Sequence, residues 1–136
     1  MSAKVLEKAI TNEDIDFDNT NAKLLADSWL FAKERLKSLN VIGSSLNNDP
    51  EDAKLIKQYI NIAFSAFEWD EVIKGVNKAY EAGLKDDGKF ALMKGIAYFE
   101  KNSIVNAKNS FIQASNSKEY KDQGIAWLEY LEALNG

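Results

Sequence analysis

Apolar residues return every third or fourth position along most of this chain, as in AKLIKQYINIAF (53–64) and KFALMKGIAYF (89–99), with charged and amide side chains between them. That is the period of an amphipathic helix, and the strict alternation of a half-buried strand is not sustained anywhere. Val and Ile are scattered through the pattern, and the single proline, Pro50, falls between two helical stretches. An all-α chain is expected, with no strand required. The period is already running at the start, where Val5, Leu6 and Ala9 share one face and Lys4, Glu7 and Lys8 occupy the other. A helix over 2–10 follows, so the chain reads as beginning inside an element.

A longer period lies on top of this one. Trp29, Ala63 and Tyr98 correspond, then Leu30, Phe64 and Phe99; further along come Ser38, Val72 and Ala107, then Ile42, Val76 and Phe111, then Ser45, Ala79 and Ala114. The steps are 34 and 35 residues, and side-chain size follows the same order of large, small, large, small. Self-similarity at such a period is the mark of helical hairpins stacked in an array. The small registers have a physical purpose, because two antiparallel helices approach to about 8–10 Å only where short side chains meet. Gly95 and Ala107 suit that crossing, and Tyr98, Phe99 and Phe111 would fill the seam with the next helix.

The third block, GIAYFEKNSIVNAKNSFIQA, resembles the tetratricopeptide repeat (TPR): Gly95, Tyr98, Ala107, Phe111 and Ala114 stand where that family has Gly, Tyr, Ala, Phe and Ala. The first block keeps Ala26, Trp29 and Pro50 in register, with Ser38 and Ser45 in place of Ala. The second departs furthest, with Ile60 at the Gly position and Ala63 at the Tyr position. The resemblance implies an all-α right-handed superhelix of about three TPR-like helix-turn-helix repeats with a C-terminal capping helix, forming a single domain over 1–136. Residues 2–10 would be the remnant helix of an upstream repeat, 19–50, 53–84 and 88–116 the repeats, and 117–135 the cap. In that last segment Trp127, Tyr130, Leu131 and Leu134 form the apolar stripe.

TPR arrays bind partners on a concave surface lined by the first helix of each repeat. Carried across by register, the groove positions are Lys23, Asp27, Leu30 and Phe31 in block one, Lys57, Asn61 and Phe64 in block two, and Leu92, Ile96 and Phe99 in block three. The same apolar residues are also what an inter-repeat core needs, since aromatic stripes at helical spacing are usually buried. Lys57 and Asn61 stand where one group of TPR domains holds a peptide's terminal carboxylate, but Met93 occupies a place where that clamp uses Asn. The run AGLKDDGKFALMKGIAYFEKNSIVNAKNSFIQAS, together with VLEKAI, LLADSWL and AWLEYLE, is similar to the C-terminal end of TPR proteins beside the Ton-type energy-transducing components of Gram-negative bacteria. This implies a periplasmic, noncatalytic scaffold that binds a partner peptide or helix in a TonB-linked uptake assembly; a cytoplasmic location is the alternative. The other reading of the role is a structural or self-association module, a homo-oligomer formed through the truncated N-terminal face.

Composition narrows the chemistry. The chain has 136 residues, 17 basic and 21 acidic, for a net charge of −4, without a long run of either sign. It therefore carries no electrostatic footprint for nucleic acid. It has no His and no Cys, which removes Ser/His and Cys/His nucleophile pairs, the usual zinc ligands, iron–sulfur clusters and disulfides. No stretch approaches the roughly 18 consecutive apolar residues of a membrane span. No enzyme activity and no cofactor are expected. The most metal-like motif is NEDIDFDNTNAK (12–23), where Asp14, Asp16 and Asp18 have the alternate spacing that opens a calcium loop. Such a loop needs Gly at its sixth position and Glu at its twelfth, and these are Asn19 and Leu25. An acidic turn before a helix is the expected reading, with no metal. Asp49, Glu51 and Asp52 around Pro50, and Asp86 and Asp87 before Gly88, are likewise read as helix-start carboxylates.

Overall fold

The computed structural model describes residues 34–135 together with Leu24. The expected helix over 2–10 and the acidic segment 12–23 lie outside them. Six helices run through the described residues in chain order: α1 (Arg35–Asn48), α2 (Ala53–Ser65), α3 (Trp69–Glu81), α4 (Lys89–Glu100), α5 (Ile104–Ser115) and α6 (Lys121–Asn135). The chain divides into two compact units, Met1–Glu68 and Trp69–Gly136. Their boundary falls inside the segment 53–84 that the periodicity reads as one repeat.

The helix ends follow from local chemistry. Asp52 caps α2, with the Leu55 amide donating to its Oδ1 at 3.0 Å. This satisfies one of the amides that every helix leaves unpaired at its start. Asp70 and Glu71 place negative charge in the first turn of α3 and Lys78 places positive charge in its last, both favourable to the helix dipole. At the other end, three helices close in the same way. The amides of Glu68, Leu84 and Ser103 donate back to the carbonyls of Ala63, Ala79 and Tyr98 at 2.9, 3.0 and 2.9 Å. The residue before each donor has positive φ: Phe67 at 59°, Gly83 at 78° and Asn102 at 61°. This is the six-to-one closure that turns a chain out of a helix through one left-handed residue. Phe67 and Asn102 are 35 residues apart, so the backbone repeats its turn at the sequence's own period.

In the first unit α1 packs on α2. Leu39, Ile42 and Leu46 of α1 and Leu55, Ile56, Tyr59 and Ile60 of α2 are buried. In the second unit the helices pack consecutively, α3 on α4, α4 on α5 and α5 on α6, an arrangement compatible with stacked helical repeats. The three aligned registers of the second helices are all buried: Ser38, Val72 and Ala107; Ile42, Val76 and Phe111; Ser45, Ala79 and Ala114.

Phe111 is the centre of the second unit. It is fully buried in a cluster with Ala107 and Leu131, against which Leu92, Ile96, Tyr98, Phe99, Trp127 and Leu128 pack. A Cβ added to Gly95 would come within 2.5 Å of the Phe111 ring. Since Phe111 has no free surface on which to retreat, glycine is required for this approach of α5 to α4. α6 comes equally close to α5 at Gly124, where a Cβ would meet the Ser115 amide at 2.6 Å. The apolar stripe expected on the last helix is split in the structure. Leu131 is buried and Trp127 half-buried, whereas Tyr130 and Leu134 are 49% and 57% exposed.

Candidate functional site

An aromatic dish opens between the end of α4 and the middle of α6. Its walls are Phe99, Ala126, Trp127 and Tyr130, around a shallow space of about 280 Å³. Its rigidity comes from below. Trp127 lies flat on Phe111, with centroids 5.0 Å apart and planes at 8°, and Phe111 is locked between Gly95 and the cluster. Phe99 meets Trp127 at 5.4 Å and Tyr130 at 5.8 Å, and Trp127 meets Tyr130 at 5.8 Å edge to face. Such tilted and edge-to-face pairs are favoured by the ring quadrupoles, each contributing about 0.5–1.5 kcal/mol beyond the area buried. The dish is thus a preformed apolar surface. Among the described residues neither the Trp127 indole N–H nor the Tyr130 hydroxyl has a hydrogen-bond partner, and neither is a buried polar group.

Of the groove positions carried over from the TPR register, the structure gathers three here. Leu92, Ile96 and Phe99 share one face of α4 at i, i+4 and i+7 and are half-buried against the Phe111 cluster. They serve as core and as partial surface at once, and Phe99 alone reaches the dish. In the first unit Lys57 and Asn61 are exposed one turn apart on α2, and Phe64 is half-buried. Met93, the residue that departs from the carboxylate clamp, is buried and so lines no surface. Lys23, Asp27, Leu30 and Phe31 lie outside the described residues.

Ala126, Trp127 and Tyr130 were not among the groove positions, because the last helix reads as a cap with its apolar stripe turned inward. The pattern carried no signal for this. Trp127, Tyr130, Leu131 and Leu134, at i, i+3, i+4 and i+7, form a stripe about 100° wide, the ordinary width of a core-facing helix side, so nothing in it marks Tyr130 and Leu134 as exposed.

The polar clusters of the second unit have structural partners. Asp86 Oδ1 accepts from the amides of Gly88 and Phe90 at 2.8 and 3.1 Å, and its Oδ2 accepts from the Ala91 amide at 3.2 Å and the Tyr80 hydroxyl at 2.6 Å. Asp87 accepts from the Lys89 amide at 3.0 Å. Both carboxylates therefore hold the start of α4. Gln113 donates to the Tyr80 hydroxyl at 3.3 Å. Burial first, and then the hydrogen bond to Asp86, push the Tyr80 phenol well above its usual range. Lys94 donates to Asn77 at 2.8 Å with its ammonium 5.8 Å from the ring centroids of both Tyr80 and Tyr98. Burial lowers its pKa. Lys101 pairs with Asp70. Among the described residues no group of three or more metal-ligating side chains converges, and no helix is long and apolar enough to cross a membrane. No known protein-family model matches the chain, and no curated protein matches it.

Proposed function

We propose that this chain is a noncatalytic protein-interaction module that captures an apolar or aromatic side chain of a partner peptide or helix in the Phe99–Trp127–Tyr130 dish. The observation that carries the reading is the dish itself: three rings held rigid by a buried fourth, open to solvent, with two polar hydrogens free. Interfaces draw most of their affinity from a few such aromatic anchors, which lose little entropy when they bind. The Trp127 N–H and Tyr130 hydroxyl supply what an apolar pocket lacks, donors that fix the register of a peptide carbonyl. On this reading the stacked helices are a TPR-like right-handed array, and Leu92 and Ile96 continue its binding surface along α4. The similarity to TPR proteins beside Ton-type components supports a partner in a periplasmic uptake assembly.

The test is selection of displayed random peptides on the intact chain, with affinities then measured for the wild type, Tyr130→Ala and Lys57→Glu. Enriched peptides should share one large apolar residue, and Tyr130→Ala should weaken them at least about tenfold, the loss typical of an anchor worth over 1 kcal/mol. Binding indifferent to Tyr130 but abolished by Lys57→Glu would move the site to α2, and binding indifferent to both would discard the reading. Repeating the capture with cell-envelope and cytosolic extracts assigns the compartment.

A further inference from the structure

A second surface of α6 has a different character. Where α5 and α6 lie side by side, a groove of about 360 Å³ is floored by Ile104, Ile112, Leu128 and Leu131, and Lys108 and Glu132 stand on its walls. The two helices are joined by a turn of only five residues, 116–120, which makes them antiparallel neighbours. Lys108 on α5 and Glu132 on α6 thus line the groove from its two sides, one charge of each sign, without pairing with each other. Both are exposed, and neither is engaged in an ion pair among the described residues. Ile112 keeps 41% of its surface exposed at the rim.

From this geometry we infer that the groove is a two-fold interface with a second copy of the chain. A partner of one dominant charge would be repelled by one of the two walls. A copy of the same surface rotated by a two-fold axis passing through the groove meets no such conflict. It brings its Glu132 to Lys108 and its Lys108 to Glu132, which is the isologous pairing that closed dimers require. The apolar floors then cover each other, and the two ion pairs set the register. This surface lies on the opposite side of α6 from Trp127 and Tyr130, and so leaves both aromatic dishes open and makes the dimer bivalent for a repeated partner.

The experiment is sedimentation over a dilution series, with helicity followed by circular dichroism, using the intact chain and the exposed-site variants Lys108→Glu and Glu132→Lys. The wild type should show a concentration-dependent dimer. Each single reversal places like charges together twice and should raise the dissociation constant at least about tenfold. An equimolar mixture of the two variants restores both pairs between chains while restoring none within a chain, so it should dimerise as the wild type does. Tyr130→Ala should leave the dimer unchanged. A wild type that stays monomeric throughout, a dimer insensitive to both reversals, or a mixture that remains monomeric would each overturn the proposal. The last outcome would point to the groove receiving a helix of another protein.

Discussion

Ser45 is the first member of a register otherwise filled by Ala79 and Ala114, and its hydroxyl is buried without a hydrogen-bond partner among the described residues. A buried, unpaired hydroxyl loses its water without recompense, a cost of about 1–3 kcal/mol. Ser45→Ala should therefore stabilise the fold by about 1 kcal/mol, read as a higher urea midpoint with an unchanged slope; a lower midpoint would mean that the hydroxyl is satisfied in solution. Phe67 stores a different cost. It holds φ at 59° with 72% of its surface exposed, a conformation about 1–2 kcal/mol unfavourable for a residue with a Cβ and free for glycine. Phe67→Gly should raise the thermal midpoint by several degrees, about what 1 kcal/mol yields for a domain of this size. The two sites differ in how far the sequence discloses them. The 34-residue register alone places Ser45 in the core, but whether a hydroxyl finds a partner depends on neighbours from other helices. The left-handed turn at Phe67 was illegible because Phe is not a residue that signals it; only the equivalent Asn102 carries that mark.

At the scale of elements, the link between α3 and α4 combines one legible half and one hidden half. Asp86 and Asp87 before Gly88 read directly as a helix start, and the amides of Gly88, Phe90 and Ala91 do converge on Asp86. The Tyr80 hydroxyl on the same carboxylate joins residues six apart through a turn whose path no periodicity specifies. Burial of the phenol, together with that bond, has a consequence for pH. Tyr80 holds its proton more tightly folded than unfolded, so its contribution to stability is complete below the ordinary phenol value of about 10 and declines as pH rises beyond it. Lys94 acts in the opposite sense. Its depressed pKa makes its share of stability complete only above the ordinary lysine value and lost as pH falls toward the folded one. Comparing wild type with Tyr80→Phe separates the two, because Phe keeps the edge-to-face contact with Phe90 at 6.3 Å. Urea midpoints measured between about pH 8 and 11 should fall more steeply in the wild type. Parallel curves would show that neither burial nor Asp86 holds the phenol proton in solution.

At the largest scale, stacked helices are stabilised chiefly by the neighbours they touch, and this distributes stability unevenly through Trp69–Gly136. α4 and α5 are covered on both sides: Ala91, Ala97, Ala107, Phe111 and Ala114 have no exposed surface. α6 is covered on one, with Ile125, Tyr130 and Leu134 open and only Gly124 and Leu131 buried. Helical periodicity sufficed to place the fully buried positions of α4 and α5. It failed at α6, where the same apolar stripe both packs inward through Trp127 and faces outward through Tyr130. Hydrogen exchange should display that division. Amides of α6 should exchange through a local opening of lower free energy than the opening that frees α4 and α5. Trp127→Ala, which removes the ring stacked on Phe111, should accelerate α6 severalfold while changing α4 far less. Equal protection across all three helices would instead make the unit fully cooperative. The dish would then be no looser than the core beneath it, and a partner docking there would gain nothing from ordering α6. If α6 opens first, a partner anchored on Trp127 and Tyr130 must also close it. Its binding should then slow α6 exchange in proportion to occupancy, which turns the same amides into a direct reporter of ligand at the dish.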